Sequence, residues 1–123
     1  MTEPLATLYG IPNCDQVKKA RSWLTARRAD YTFHDFKKQG LSAAMAQAWI
    51  AEVGAERLIN RKGSTWRSLD DARKALVDKP SGAVALIVEQ PSLIKRPLLR
   101  PAGARVNALV VGFDPQVYAE LFR

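Results

Sequence analysis

Leu5-Ala6-Thr7-Leu8-Tyr9-Gly10-Ile11-Pro12-Asn13-Cys14-Asp15-Gln16-Val17-Lys18-Lys19-Ala20-Arg21-Ser22-Trp23-Leu24 is the stretch that decides the fold. Thr7-Leu8-Tyr9 reads as a short strand, and the turn formers Gly10-Ile11-Pro12-Asn13 stop it. A helical pattern starts at Cys14. Val17, Ala20 and Leu24 recur at i, i+3 and i+7, with Trp23 beside them, and Arg27 and Arg28 suit its C-terminus. Tyr31-Thr32-Phe33-His34-Asp35-Phe36 alternates aromatic with polar, which predicts a second strand, and Gly40 closes the unit. Residues 5–36 are therefore read as strand, helix, strand, with the cysteine in the first turn.

Ser42 caps a second predicted helix with Met45, Ala46, Trp49, Ile50 and Val53 as its apolar stripe and Gly54 as its stop. Leu58 to Ser64 reads as a turn-rich connector. Asp70 and Asp71 begin a further helix that must end before Pro80. The apolar run Ala83 to Val88 fits strand or helix, because six residues carry too little periodicity to decide. Leu98-Leu99, starting at Pro97, and Val106 to Val111 read as a hairpin around Pro101-Ala102-Gly103-Ala104. Asp114-Pro115 is an N-cap followed by proline at the first helical position, and Val117, Tyr118, Leu121 and Phe122 supply that helix's apolar side. The outline is βαβ, two or three helices, then ββα.

The chain has 123 residues, 47% hydrophobic and 25% charged, which bounds it to one ordinary globular domain, 1–123. The longest apolar run is six residues, Ala83 to Val88, too short to span a membrane. No secretory leader pattern opens the sequence. One cysteine excludes a disulfide scaffold and points to a reducing cytoplasm. Nineteen basic residues against twelve acidic ones, a net +7, favour anionic partners. The basic pairs are scattered, and with no basic tail or nucleic-acid motif the expectation is no nucleic acid and no membrane.

Cys14 is the residue of obvious chemistry. Where a turn becomes a helix, free backbone N–H groups and the helix dipole both favour a thiolate. The bland alternative is a small buried hydrophobe, but such a cysteine would sit within the apolar stripe. Val17, three residues on, is neither Cys nor Ser, so no internal disulfide can form. A catalytic thiol here needs an external thiol, glutathione or a protein thiol, to resolve it. His34, the single histidine, could serve as a base, though a satisfied structural histidine is the commoner case. Cys14 and His34 are too few for a structural zinc site, so no metal is expected. Arg61, Arg96 and Arg105 each flank a turn or strand start, and arginine pairs oxyanions bidentately.

Leu8 to Asp15 followed by Val17 to Leu24 resembles the N-terminal motif of the ArsC/Spx/YffB family. Tyr31 to Gly40, Leu58 to Arg67 and Pro91 to Leu99 resemble its YffB branch, so the likeness runs over about residues 5–122. The resemblance implies an α/β thioredoxin-like fold: βαβ then ββα, a mixed four-stranded sheet, and a helical subdomain inserted at about 41–90. It implies that Ala83 to Gln90 is helical and that Pro97 is cis and faces the thiol. It places Cys14 as nucleophile, with Arg61, Arg96 and Arg105 binding the anionic part of a small substrate or of glutathione. The setting it implies is a cytoplasmic bacterial monomer, with glutathione as co-substrate and no tightly bound cofactor.

Departures from the reductase pattern carry information too. Gly10 stands where the arsenate reductases have His, and Asp15, Gln16 and Val17 stand where they have Gly, Thr and Ser. Asp15 adds negative charge beside the thiol. The expectation is thus a thiol-dependent oxidoreductase rather than an arsenate reductase. The alternative is a Spx-like regulator docking on an acidic partner such as RNA polymerase. Val17 removes the Cys-x-x-Cys switch of Spx.

Overall fold

A computed structural model describes residues 6–101 and 109–122. The chain divides into two compact units, one made of the residues up to Gln39 and from Arg96 onward, the other of Gly40–Lys95. The inserted unit is thus slightly wider than 41–90.

The first unit is a four-stranded mixed sheet. Strands β1 (Ala6–Gly10), β2 (Tyr31–Asp35), β3 (Leu98–Arg100) and β4 (Val110–Val111) lie in the order β2-β1-β3-β4. β1 pairs parallel with β2 and antiparallel with β3, and β3 pairs antiparallel with β4. A parallel neighbour needs a crossover, which helix α1 (Asp15–Ala26) supplies. Alternation along β1 buries Ala6, Leu8 and Gly10 and leaves Thr7 and Tyr9 half-buried. Leu8 lies opposite both Phe33 and Leu99. Ala6 and Leu8, Leu99, Ala20 and Leu24 of α1, and Tyr118 of the last helix form one fully buried cluster. Each of these leucines contributes about 1.5–3 kcal/mol by leaving water.

Close approach of α1 to β1 depends on Gly10. A Cβ there would lie 2.7 Å from Cγ2 of Val17, itself fully buried. The stiff branched side chain cannot swing aside. Gly10→Ala should therefore cost about 1–3 kcal/mol in urea unfolding, with part regained in Gly10→Ala/Val17→Ala. An unchanged midpoint for the single variant would refute this packing.

The second strand ends one residue earlier than the alternation predicts. Phe36 opens a short helix α2 (Phe36–Gln39) instead. Asp35 is the cause: its Oδ1 accepts from Lys37 N–H while its own N–H donates to Gln39 Oε1, a reciprocal cap that turns the chain. Gly40 then takes a left-handed φ of +73°.

The inserted unit is helical, with more pieces than the two or three expected. These are α3 (Ala43–Val53), α4 (Ala55–Leu58), α5 (Ser64–Arg67), α6 (Asp71–Ala75) and α7 (Pro80–Glu89), plus 3-10 turns at Leu76–Asp78 and Pro91–Leu93. Ser42 caps α3 by accepting from Met45 N–H, and Asp70 caps α6 by accepting from Arg73 N–H. Ala83 to Val88 is helical. Its start is Pro80 at the first helical position, so the proline expected to stop one helix also begins the next. Ile59 bridges Ile94, and hydrogen bonds from Asn60 N–H to Leu93 O and from Lys95 N–H to Leu58 O tie the two segments together.

The second strand of the predicted hairpin is short: β4 is Val110–Val111, Leu109 precedes it, and Val106 to Ala108 lie outside the described residues. Helix α8 (Pro115–Leu121) starts at Asp114, whose Oδ1 accepts from Gln116 N–H. No helix among the described residues is long and apolar enough to cross a membrane.

Candidate active site around Cys14

Cys14 is the N-cap of α1, with extended backbone angles of φ −141° and ψ 127°. Its carbonyl accepts the first helical hydrogen bond, from Lys18 N–H at 2.9 Å. The side chain stands beside the helix's first-turn amides, which have no intrahelical partners. The thiol is half-buried.

Burial is the largest influence on this thiol and works against its ionisation; the N–H of Val17, a hydrogen bond from the Arg96 guanidinium, the N–H of Gln16 and the charge of Arg96 together outweigh it. The pKa is lowered from the ordinary value. The neutral thiol makes no closed capping bond to these amides, so they act mainly by stabilising the charged form, as N–H donors do at a helix start. Asp15, exposed on the first turn, is not among the groups that set the shift. Solvent screens its carboxylate.

Pro97 holds Arg96 at the thiol. The Arg96–Pro97 peptide bond is cis, Pro97 is buried, and its carbonyl accepts from Gly112 N–H at 2.8 Å. These contacts anchor the start of β3 and with it the arginine. The Nε of Arg96 is buried and makes no hydrogen bond among the described residues.

Arg61 belongs to the inserted unit. It is exposed in a turn where Lys62 N–H donates to Asn60 Oδ1, and its guanidinium lies 5.2 Å from the ring centre of Trp66. Trp66 also has the Lys74 ammonium 6.0 Å from its ring. Arg105 lies outside the described residues. His34 sits opposite Tyr9 in the β1–β2 register, with ring centres 5.1 Å apart, and 5.9 Å from the Phe36 ring. Those are aromatic packing contacts. No cluster of three or more metal-ligating side chains occurs among the described residues.

Comparison with known proteins identifies the family. The model of the ArsC family matches residues 9–121. A solved structure described as the YffB protein superposes with a TM-score of 0.85 at 41% identity, covering 96% of this chain and 99% of that one. An arsenate reductase (ArsC) related protein from Brucella melitensis is 43% identical with a TM-score of 0.73, covering 100% and 98%. The global transcriptional regulator Spx of Streptococcus pyogenes is 31% identical, over 77% of this chain and 71% of its own length. With a thiol at the start of α1, an arginine before a cis-proline and a match over almost its whole length, this chain belongs to the ArsC family.

Proposed function

We propose that the protein is a glutathione-dependent thiol oxidoreductase with Cys14 as nucleophile. The observation that carries the reading is the Arg96 guanidinium at the Cys14 thiol, over the first-turn amides of α1. In the proposed cycle the Cys14 thiolate attacks the glutathionyl sulfur of a mixed disulfide. A new Cys14–glutathione disulfide forms, and the substrate sulfur leaves as a thiolate that takes a proton from water. A second glutathione then attacks this disulfide, releasing oxidised glutathione and restoring Cys14. The two electrons come from the glutathione pair, and no second cysteine of this chain is needed. Arg96, with Arg61 and Arg105 by family likeness, binds glutathione carboxylates or another small anion. A monomer in a reducing cytoplasm suits such a thiol.

The test is the alkylation rate of Cys14 against pH, with and without glutathione. Cys14 is the sole cysteine, so the signal has one source. The expected half-point lies below the free-thiol value of about 8.5, and glutathione should slow alkylation. A half-point at or above the free value with no glutathione effect would overturn the reading.

The likeness to Spx supports a second reading, a regulator that docks on an acidic partner without turnover. Under it Cys14→Ser keeps function and surface Lys/Arg changes abolish it. Under the first reading Cys14→Ser abolishes function.

A further inference from the structure

The outward side of α1 carries a feature that thiol chemistry does not use. Lys18, Lys19, Ser22 and Trp23 recur at helical spacing on one side of the helix. Phe113 and Pro115, leading into α8, form the facing wall of an open groove of about 520 Å³. The walls are held from behind. Trp23 packs edge-on against Tyr118, with ring centres 5.6 Å apart, and lies 6.0 Å from Phe122; Phe113 packs edge-on against Tyr118 at 4.9 Å. Because Tyr118 is fully buried, neither aromatic wall can fold inward to fill the space, and the groove is preformed.

Charge at the rim is mostly of one sign. Lys18 and Lys19 are exposed, and their side-chain ammonium groups make no hydrogen bond or ion pair among the described residues. The Arg27 guanidinium stacks 4.5 Å from the Trp23 ring centre. Of the carboxylates nearest in sequence, Asp114 is engaged in capping α8 and Asp15 stands one turn before the lysines. An apolar recess between aromatic walls, rimmed by unsatisfied ammonium groups on a chain of net charge +7, is complementary to an anionic ligand with an apolar anchor.

The geometry points to this groove as the docking site for an acidic polypeptide segment. One aromatic or branched aliphatic side chain enters between Trp23 and Phe113, and flanking carboxylates meet Lys18 and Lys19. A nucleic-acid backbone fits less well. It needs a row of cations along the strand rather than two beside an apolar recess.

The test uses a short fluorescein-labelled peptide of alternating Glu and Asp around a central Phe, read by anisotropy on the full chain carrying Cys14→Ser. That background removes mixed-disulfide chemistry, so failure of docking is separable from failure of the oxidoreductase reading. Saturable binding is expected. It should weaken about tenfold or more in K18E/K19E and with Ala in place of the peptide's Phe, and should weaken with salt. K37E/K38E, on α2, changes the same charge elsewhere and should have little effect. Equal loss in K37E/K38E, no saturable binding, or equally tight binding of single-stranded DNA of matched charge would each overturn the assignment.

Discussion

Arg96→Met should raise the pH half-point for Cys14 alkylation and change both ends of the rate profile in opposite directions. A hydrogen bond to a charged group contributes about 1.5–3 kcal/mol. The thiol is only half-buried, so solvent screening reduces the part Arg96 supplies, and about a tenfold loss of thiolate at pH 7 is a fair scale. Rate does not fall in proportion. A thiolate of higher pKa is intrinsically more nucleophilic, with a Brønsted slope of about 0.4–0.5. The expected result is therefore alkylation about threefold slower at pH 7 and about threefold faster on the high-pH plateau. A uniform slowing at all pH values would mean that Arg96 controls access and not charge. Stability responds with a definite sign. Since the folded thiol has a lowered pKa, its contribution is fully present above the unfolded value and is lost as pH falls through the folded one. Arg96→Met should flatten that dependence in urea titrations.

Tyr118 gives the largest stability effect, and its two parts have opposite signs. The side chain is fully buried and its ring meets Trp23, Phe113 and Phe122. Tyr118→Ala should cost about 3–5 kcal/mol through lost burial and the cavity it leaves. The hydroxyl, however, is buried with no hydrogen-bond partner among the described residues. Burial also pushes its pKa well above the ordinary tyrosine value, so it stays neutral. Leaving such a donor unmade costs about 1–3 kcal/mol, so Tyr118→Phe should be neutral or stabilise by about 1 kcal/mol. Thermal or urea unfolding of both variants decides this. A loss of more than about 1 kcal/mol in Tyr118→Phe would mean that the hydroxyl is paired after all.

Much of the fold is legible where local chemistry and tertiary packing agree. Ser42, Asp70 and Asp114 each cap the helix their residue type predicts. The 3.6 period of Val17, Ala20 and Leu24 marks the side of α1 that is buried. Legibility is lost where two local signals compete. Phe36 ends the aromatic and polar run read as β2, but the capping hydrogen bonds of Asp35 end the strand before it. Pro80 forbids continuing one helix and favours starting another, and only packing shows that it does the second. Ala83 to Val88 has too little period to decide, and the family likeness supplies the helix.

By itself the sequence determined the βαβ opening, the cysteine at a helix start and the family. These rest on nearest-neighbour chemistry: backbone N–H groups left open at a helix end, apolar spacing, and capping residues. Only the tertiary structure decided that Arg96 reaches Cys14, that Asp15 stays out in solvent, and that Trp23 and Phe113 wall an open groove. These are facts about residues distant in the chain. Cys14 and Arg96 meet because β1 and β3 are neighbours in one sheet, a pairing that no local spacing encodes.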